Sequence, residues 1–426
     1  MRVRHLSLTN FRLYARLEAD LPAGPLILVG ANAQGKTSLL EAIYYFATAQ
    51  AHHAASDRQL INFLALAARE TLPFAKLIAE VAHRDRQRRV EIRVILDPAN
   101  NPAGRPLRSA SGVFEGAGGG DSRLRKEIYI NGVKKRVSEL AGLVNVVLFL
   151  PQDLAIVEGA PADRRRHLDI ALCQVNPAYN VALGEYGKVL TQRNALLKML
   201  QDSPGHAGVE AQLDFWDVKL CEHGALLIAA RAAALAEMEA LASAIHRDLT
   251  GGAEGLRLAY HPAFDPAAAP HGQLGLPMDV PVHRLGIPPE EIQERLKQRL
   301  HTTRAEEIAR GMTLAGPHRD EIRFVANGID VGTYGSRGQA RSVVLALKLA
   351  EVEWMRARTG EWPILLLDEV LAELDTQRRR DLLNRLGGAE QCIMTTTDLN
   401  LFPPEFPPRA RIWHVHGGRI KNGDLH

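Results

Sequence analysis

The chain has 426 residues, 46% of them hydrophobic, and its 52 lysines and arginines stand against 49 aspartates and glutamates. This length exceeds one simple core and predicts about two to four domains, each able to bury an apolar interior. The formal charge of +3 excludes overall charge as an argument for nucleic-acid binding, which would need local basic patches.

The three cysteines are far apart and lack metal-ligand spacing, so they imply no disulfide framework and favour a reducing compartment. The N-terminal sequence MRVRHLSLTN alternates polar and apolar residues, which does not predict a signal peptide. No run of about 18 uncharged apolar residues is present to span a membrane. We therefore expect a cytoplasmic protein without a membrane partner.

The first predicted elements are a strand, a turn at 9–12 and further extended chain, all within residues 1–17. They lead to the apolar run LILV at 26–29 and then to GANAQGKT at 30–37, after which a helix is predicted to run to about residue 48. Strand, glycine-bracketed loop and helix in this order are typical of a P-loop, whose backbone N–H groups converge on a triphosphate. An ordinary strand-turn-helix connection is the alternative interpretation.

Each fixed position of the P-loop motif has a predicted task. Lys36 reaches the β- and γ-phosphates of ATP, and the hydroxyl of Thr37 ligates Mg²⁺. The predicted nucleotide ligands of this segment are Gly30, Asn32, Gly35, Lys36, Thr37 and Ser38.

Beyond the P-loop helix, apolar alternation predicts two paired strands at 76–81 and 89–95 around a charged turn at 83–88. A stretch rich in Gly, Pro, Ala and Ser at 100–121 predicts a mobile surface loop. Asn131-Gly132 then marks a hairpin turn, and residues 144–150 are a buried-strand candidate.

From about residue 163 to 249 the apolar period changes from two to 3.6, which predicts long amphipathic helices, among them 186–200 and 215–249. Prolines and glycines interrupt 251–287, and a helix is predicted again over 288–310. No apolar seam is sustained over the heptads that a coiled-coil arm requires. We therefore divide the chain into an N-terminal part of an ATPase lobe at 1–160, a helical lobe at 161–310 and a C-terminal part of the ATPase lobe at 311–426.

In this C-terminal part, a second Asn-Gly hairpin is predicted at 321–331, and an apolar strand ends in Asp368 and Glu369. A buried parallel strand of this kind places its terminal acids beside the P-loop. Asp368 is then predicted to hold Mg²⁺ and Glu369 to act as general base for the attacking water. A strand that ends in a solvated acidic turn is the alternative. A last core strand is predicted at 392–396.

The segment GSRGQ at 335–339 directly precedes a predicted helix at 340–358. It is a second anion-binding helix N-terminus in a chain with one P-loop. A second phosphate cradle is useful if it closes over ATP held by another copy of the chain, with Ser336 and the backbone of Gly338 facing the γ-phosphate. Taken alone, such a loop is also compatible with a simple helix cap.

In order and spacing, these motifs resemble those of the ABC-type ATPases that act on DNA and chromosomes. Within that class the chain resembles the RecF family of bacterial recombination mediators, over nearly its whole length. The stretches that carry this resemblance are GANAQGKT at 30–37, LSLTNFR at 6–12, PQDL at 151–154, GAP at 159–161, RRRHLD at 164–169, GPHRD at 316–320, SRGQAR at 336–341, LDE at 367–369 and ELD at 373–375.

The resemblance implies an α/β fold, an ABC-type P-loop ATPase head with an inserted helical lobe and no long coiled coil. It also implies a switch in which two chains sandwich two ATP molecules, so that the protein is a homodimer with ATP. Such proteins act at single-strand/double-strand DNA junctions, work with RecO and RecR, and help to load RecA on gapped DNA. Their ATP hydrolysis is weak, stimulated by DNA, and serves as a switch.

By motif match, the catalytic candidates are Lys36, Glu369 and Gln152, the last resembling the glutamine that senses the γ-phosphate. Thr37 and Asp368 are the metal candidates. Arg12 is a further candidate for contact with the nucleotide, or an ordinary surface arginine.

The same match assigns Ser336, Gly338 and Gln339 to ATP held by the partner chain, and Asp375 to the dimer interface beside it. One departure from the transporter pattern concerns the histidine after the last core strand, where this chain has TTTD at 395–398. The residue that links the γ-phosphate to the partner subunit is therefore left open.

Local basic clusters are the candidates for contact with DNA phosphates, and each could equally be a solvated face. No aromatic platform for stacking bases is evident, which predicts backbone recognition with little sequence preference. The clusters are Arg84, Arg86, Arg88 and Arg89; Lys134, Lys135 and Arg136; and Arg164, Arg165 and Arg166.

Two alternatives from other functional classes stay open at this point. A P-loop phosphotransferase would use the helical insert as a lid over a small-molecule acceptor and would turn over without DNA. A largely structural DNA-end binder would use ATP only for assembly.

Overall fold

The computed structural model describes residues 1–52, 56–67, 72–83, 86–97, 123–202, 209–264, 266 and 286–423. The loop predicted at 100–121, the DNA-contact candidate Arg84 and most of the predicted irregular stretch at 251–287 lie outside these ranges.

Within the described ranges the strands follow the alternating and continuous apolar patterns of the sequence. They are β1 (Arg2–Phe11), β2 (Tyr14–Asp20), β3 (Gly24–Val29), β4 (Phe74–His83), β5 (Arg86–Asp97), β6 (Arg123–Ile130), β7 (Val133–Lys135), β8 (Val146–Phe149), β9 (Leu256–His261), β10 (Glu321–Ala326), β11 (Ile329–Asp330), β12 (Ile364–Asp368), β13 (Gln391–Thr396), β14 (Arg411–His416) and β15 (Arg419–Gly423).

The α-helices in the same ranges include every long helix that the 3.6-residue period predicts. They are α1 (Lys36–Thr48), α2 (Phe63–Ala67), α3 (Ala155–Glu158), α4 (Pro161–Val175), α5 (Pro177–Asp202), α6 (Val209–Leu249), α7 (Pro289–Arg310), α8 (Val331–Tyr334), α9 (Arg337–Thr359) and α10 (Thr376–Leu386).

The chain forms two compact units. The first contains the described residues of 1–153 and 351–423, and the second those of 154–350. The sequence division placed 311–350 with the ATPase lobe, whereas in the structure this stretch packs with the helices. Strand β9, which the sequence did not predict, pairs along its whole length with β10 and so joins residues 321–326 to the second unit.

A mixed sheet with the order β15-β14-β3-β13-β12-β8 forms the centre of the first unit. From β14 to β8 all neighbours run parallel, and β15 closes the edge antiparallel. Every residue of β12 and β13 is buried, which explains the apolar run of β12 and the apolar centre of β13 at Cys392, Ile393 and Met394. The parallel arrangement brings the carboxyl ends of β3, β13 and β12 to one edge, where the P-loop begins.

A second sheet of the first unit has the order β2-β1-β4-β5-β6-β7 and is antiparallel throughout. The predicted pairing of the strands now called β4 and β5 is confirmed. At the β6–β7 turn, Asn131 and Gly132 have φ angles of 51° and 81°. Asn and Gly adopt the left-handed backbone conformation that this turn needs at both positions with little energetic cost.

The second unit is built mainly from α4 to α7 and the sheet β11-β10-β9. Fully buried Arg193 on α5 donates to Asp217 on α6, to Glu307 on α7 and to Thr313, each over 2.6 to 2.8 Å. One guanidinium therefore connects α5, α6 and α7. Removing either carboxylate would leave a buried charge without its full set of partners.

The longest described helix, α6, has 41 residues, or about 60 Å of axis at 1.5 Å per residue. The helical lobe is thus formed without long coiled-coil arms in the part of the chain that the structure describes. None of the described helices is both long and apolar enough to cross a bilayer.

Candidate nucleotide-binding site

Two glycines of the P-loop are required by the space and backbone around them. A Cβ at Gly30 would lie 2.3 Å from the carbonyl oxygen of Val415, so any side chain would push the loop from β14. Gly35 has φ of 113°, which L-residues rarely adopt. The buried hydroxyl of Tyr14 donates to the Gly35 carbonyl over 2.9 Å and fixes this turn at the start of α1.

The loop is also held by the turn between β14 and β15. The N–H of Gly417 donates to Oε1 of Gln34 over 2.8 Å, and the N–H of Gly418 donates to the Gln34 carbonyl over 3.0 Å. The first of these bonds joins positions 383 residues apart in the chain. Tyr14 and the turn between β14 and β15 therefore both hold the P-loop in place.

The ammonium group of Lys36 is buried, with 3% of the side chain exposed. Its Nζ donates to the carbonyls of Gly30 and Ala31 over 2.7 and 2.9 Å and lies 3.1 Å from Oε1 of Glu369. All three donors of the ammonium are engaged, which satisfies a buried charge. Lys36 and the predicted base thus meet directly.

Thr37 and Asp368, the two predicted metal ligands, are also brought together. The Thr37 hydroxyl lies 3.0 and 2.9 Å from the two carboxylate oxygens of Asp368. A hydroxyl and a carboxylate are the hard oxygen donors that Mg²⁺ prefers, and such a site takes its remaining ligands from phosphates and water. The pair therefore fits Mg²⁺, although no cluster of three or more His, Cys, Asp or Glu side chains suited to a metal occurs among the described residues.

Glu369 has left-handed backbone with φ of 53° directly after β12. Its N–H donates to the hydroxyl of Thr395 over 3.0 Å, and its side chain is 36% exposed. Backbone strain of this kind is concentrated at functional sites in proteins, so it agrees with the predicted role of Glu369. The side chain is accessible to a water molecule while its backbone is fixed.

The surroundings of the P-loop are electropositive. Gly30 and Ala31 share a cavity of about 500 Å³ with side chains of the β14–β15 hairpin. On that hairpin, cross-strand register pairs His414 with Lys421 and His416 with Arg419. These four side chains are exposed, and no sequence motif marks them. The positive charges of Arg419 and Lys421 favour an anionic ligand at this edge of the sheet.

Arg12 does not stand free as a surface arginine. It makes a bidentate ion pair with Glu41 of α1, at 2.7 and 2.8 Å, and its backbone N–H donates to the carbonyl of Leu60. Its φ of 51° turns the chain between β1 and β2. In the described contacts it positions α1, the helix that begins at the P-loop.

The remaining predicted residues of the first unit lie at exposed or half-buried positions. Asn32 is exposed in the P-loop, and Ser38 is half-buried in the first turn of α1. Gln152 is exposed in a short turn that follows β8, the strand next to β12. Asp375 caps α10 by accepting the N–H of Arg378 over 2.9 Å. The roles assigned to them remain predictions.

In the second unit, Ser336 and Gln339 form a reciprocal cap at the start of α9. The Ser336 N–H donates to Oε1 of Gln339 over 3.0 Å, and the Gln339 N–H donates to Oγ of Ser336 over 3.2 Å. These contacts are therefore those of a helix cap. Gly338 is exposed beside them, and its first-turn N–H has no acceptor within an α-helix.

Three positioning residues escaped the sequence analysis: Tyr14, Gln34 and Thr395. Each acts on a segment remote in the chain, so the local sequence, including the P-loop motif that contains Gln34, does not reveal the contact. For Thr395 a signal existed, because it is a polar residue that directly follows the apolar run of the predicted last core strand.

The parallel sheet, the braced P-loop and the Lys36–Glu369 and Thr37–Asp368 pairs define an ABC-type P-loop ATPase head with an inserted helical lobe. The sequence matches the family model described as "RecF/RecN/SMC N terminal domain" over residues 2–404. The chain belongs to the RecF family of DNA replication and repair proteins. Both the predicted fold class and the predicted family are confirmed.

Similar proteins span the full chain. A DNA replication and repair protein RecF of Chloroflexus aurantiacus is 39% identical over 427 residues, covering 99% of this chain and 100% of its own length. One from Bacillus cereus is 34% identical over 421 residues, covering 99% and 98%. The solved structure described as "Structure of the recombination mediator protein RecF-ATPrS in RecFOR pathway" has a TM-score of 0.78 and 25% identity, covering 99% of this chain and 98% of its own.

Proposed function

We propose that this chain is a cytoplasmic, ATP-driven switch that acts on DNA. Two copies bind two ATP molecules between them, and the resulting homodimer binds single-strand/double-strand junctions with little sequence preference. With RecO and RecR it helps to load RecA on gapped DNA, and weak, DNA-stimulated hydrolysis releases it. The similarity to RecF structures of the RecFOR pathway, one of them with ATP, supports this proposal.

The observation that carries the proposal is the assembly of one half-site in the first unit. Lys36 already contacts Glu369, and Thr37 already contacts Asp368, so phosphate, metal and water ligands are preorganised. The Ser336 loop, a second anion-binding segment, belongs to the other compact unit and is exposed. An exposed second cradle is consistent with ATP supplied by another copy.

The mechanism follows from the donors and acceptors of these side chains. Lys36 exchanges the carbonyls of Gly30 and Ala31 for phosphate oxygens, while the P-loop N–H groups bind the same anion. Thr37 and Asp368 would hold Mg²⁺, which would supply positive charge to offset that of the phosphates. Glu369, whose carboxylate lies 3.1 Å from Nζ of Lys36 and is partly exposed, accepts a proton from the attacking water.

The remaining predicted residues complete the pocket in this proposal. Gln152 senses the γ-phosphate. Ser336 and the N–H of Gly338 donate to the γ-phosphate of ATP held by the partner chain. Gln339 supports that loop, and Asp375 lies at the dimer interface.

Several of the basic candidates for DNA contact already carry an acidic neighbour. Lys134 lies 2.9 Å from Glu127, Lys135 lies 2.9 Å from Glu139, and Arg164 makes a bidentate pair with Glu321. Their partners reduce the charge available to phosphates. We therefore assign the main DNA contacts to Arg86, Arg88, Arg89 and Arg166. Affinity for DNA depends on the number of phosphates that such residues contact together, so no single arginine decides it.

The two rival functions differ from this proposal in what they require. A phosphotransferase turns over a small acceptor without DNA, and a purely structural binder needs no general base. The Lys36–Glu369 contact favours hydrolysis over both, because it places an accessible carboxylate at the phosphate-binding lysine.

Sedimentation velocity with ATP, with ADP and without nucleotide, each with and without gapped duplex DNA, tests the proposal. We expect a dimer with ATP alone and a further shift when gapped DNA is added. A chain that stays monomeric in all three nucleotide conditions, or that dimerises equally in all three, would contradict the switch.

A further inference from the structure

The side chain of Gln339 connects the Ser336 loop to the segment that follows α6. Its Oε1 accepts the Ser336 N–H over 3.0 Å, and its Nε2 donates to Oε1 of Glu254 over 2.9 Å. One end of a glutamine amide only accepts and the other only donates. Because a carboxylate can only accept, Glu254 selects the rotation of the amide that leaves a carbonyl for Ser336.

Glu254 is itself fixed on two sides. Its second carboxylate oxygen lies 3.1 Å from Nε2 of His246, a fully buried residue in the last turn of α6. The next residue, Gly255, donates its N–H to Oδ1 of Asn327 over 2.9 Å, and the Asn327 N–H donates back to the Gly255 carbonyl. Asn327 lies in the β10–β11 turn, which leads through α8 to the Ser336 loop.

Gln339 holds the loop through both its side chain and its backbone, and this leaves a set of donors without an acceptor. The hydroxyl oxygen of Ser336 accepts the Gln339 N–H, so its own proton remains available to a ligand. The first-turn N–H groups of Arg337 and Gly338 have no acceptor within the helix. Together these three donors suit one phosphate group.

We infer that Glu254 is a positioning residue of the nucleotide switch: held by His246, it orients Gln339 and so sets the donors that the Ser336 loop offers to a γ-phosphate. The inference rests on the proposed function, in which that phosphate belongs to ATP on a second copy of the chain. It also connects the end of α6, in the helical unit, to the loop that closes the dimer.

Geometry and electrostatics predict opposite effects of removing the Glu254 carboxylate on the strength of the ATP-dependent dimer. A negative charge behind an anion-binding loop weakens phosphate binding, so charge alone predicts that Glu254→Ala tightens the ATP-dependent dimer. A positioning role predicts that the same substitution loosens it, because the Gln339 amide can then rotate. We expect the dimer dissociation constant in ATP to rise about tenfold, the factor for one hydrogen bond to a charged group.

A pair of substitutions tests the direction of the hydrogen bonds directly. Gln339→Glu places two carboxylates against each other and should weaken the dimer more than Glu254→Ala does. In Glu254→Gln/Gln339→Glu the roles are exchanged: the new carboxylate accepts from Ser336, and the new amide donates to it while accepting from His246. We expect this double variant to recover at least about tenfold of the loss.

The measurement is sedimentation equilibrium of each variant in ATP, with melting temperatures as a check of folding and Glu290→Ala, an exposed glutamate of α7, as control. If Glu254→Ala dimerises as tightly as the parent or more tightly, the inference about Glu254 is wrong. The same holds if the double variant dimerises as weakly as Gln339→Glu. Neither result contradicts the proposed function. If the parent chain itself stays monomeric in ATP, the proposed function fails and the inference fails with it.

Discussion

Thr395 and Asp368 face each other at the ends of two adjacent parallel strands, and the Thr395 hydroxyl donates to Oδ1 of Asp368 over 2.7 Å. The same hydroxyl oxygen accepts the N–H of Glu369 over 3.0 Å. One buried threonine thus fixes both the side chain of the metal-ligand candidate and the backbone of the candidate base. Thr395 therefore contacts the side chain of Asp368 but the backbone of Glu369, although the two acids are neighbours in sequence.

Thr395→Val keeps the shape of the side chain and removes the hydroxyl. It leaves Asp368 with one donor fewer and the Glu369 N–H without its acceptor, at a cost of about 1–3 kcal/mol. We expect ATP hydrolysis to fall at least about tenfold, with a smaller change in ATP affinity. Steady-state kinetics and nucleotide titration measure both, and Thr395→Ser is the matched control. Equal turnover of the valine and serine variants would show that the hydroxyl has no such role.

Lys36→Arg replaces a compact ammonium with a planar guanidinium in a site where only 3% of the side chain is exposed. The three acceptors around Nζ suit a tetrahedral donor, so the longer, planar group displaces the loop. We expect hydrolysis to fall on the order of a hundredfold while ATP binding stays measurable. Lys188→Arg, at an exposed lysine paired with Glu185, is the control. Unchanged turnover of Lys36→Arg would refute the assigned role.

Glu369→Gln removes the candidate base and keeps the size of the side chain. Because general-base catalysis contributes about 10²- to 10⁴-fold, we expect hydrolysis to fall by that order and the ATP-bound dimer to persist. Dimer dissociation after dilution, followed by light scattering, measures its lifetime. Glu405→Gln, at an exposed position, controls for loss of charge. A Glu369→Gln dimer that dissociates as fast as the parent would remove Glu369 as base.

Burial lowers the pKa of His318 from 6.5 to about 4, while its Nδ1 lies 2.7 Å from the Tyr186 hydroxyl. Between these values the unfolded chain binds a proton that the folded chain does not, so stability is lost as pH falls through this window. His318 should account for about 2 kcal/mol of the loss between pH 7 and pH 5. Urea denaturation of the parent and of His318→Gln at both pH values measures this. The same loss in both proteins would contradict the assignment.

Local patterns predicted much of the fold. The apolar runs of β3 and β12, the alternation of β4 and β5, and the Asn131-Gly132 turn each contain enough information within a few residues. Strand β9 was missed because its six residues lie in a stretch broken by prolines and glycines. Its alternation, with Leu256, Leu258 and Tyr260 buried, was too short to stand out.

The contacts of Thr37 with Asp368 and of Lys36 with Glu369 were predictable, because the P-loop motif and the acids after an apolar strand mark the same edge of the sheet. The site was not predictable where other remote segments meet. The Gln34 contact with Gly417 exists only because β14 pairs with β3, and a pairing between residues far apart in the chain leaves no local pattern. The same holds for the bond between Gln339 and Glu254.

The central claim is that ATP binding and pairing of subunits are one event, which requires the Ser336 loop of one chain at the ATP of another. Sedimentation velocity of Glu369→Gln and of Glu369→Gln/Ser336→Arg in ATP tests it most directly, with Glu369→Gln/Thr302→Arg as a control that adds the same charge at an exposed position of α7. We predict a dimer for Glu369→Gln and for the control, and a monomer for the Ser336 variant. A dimer of equal strength in all three proteins would contradict the account.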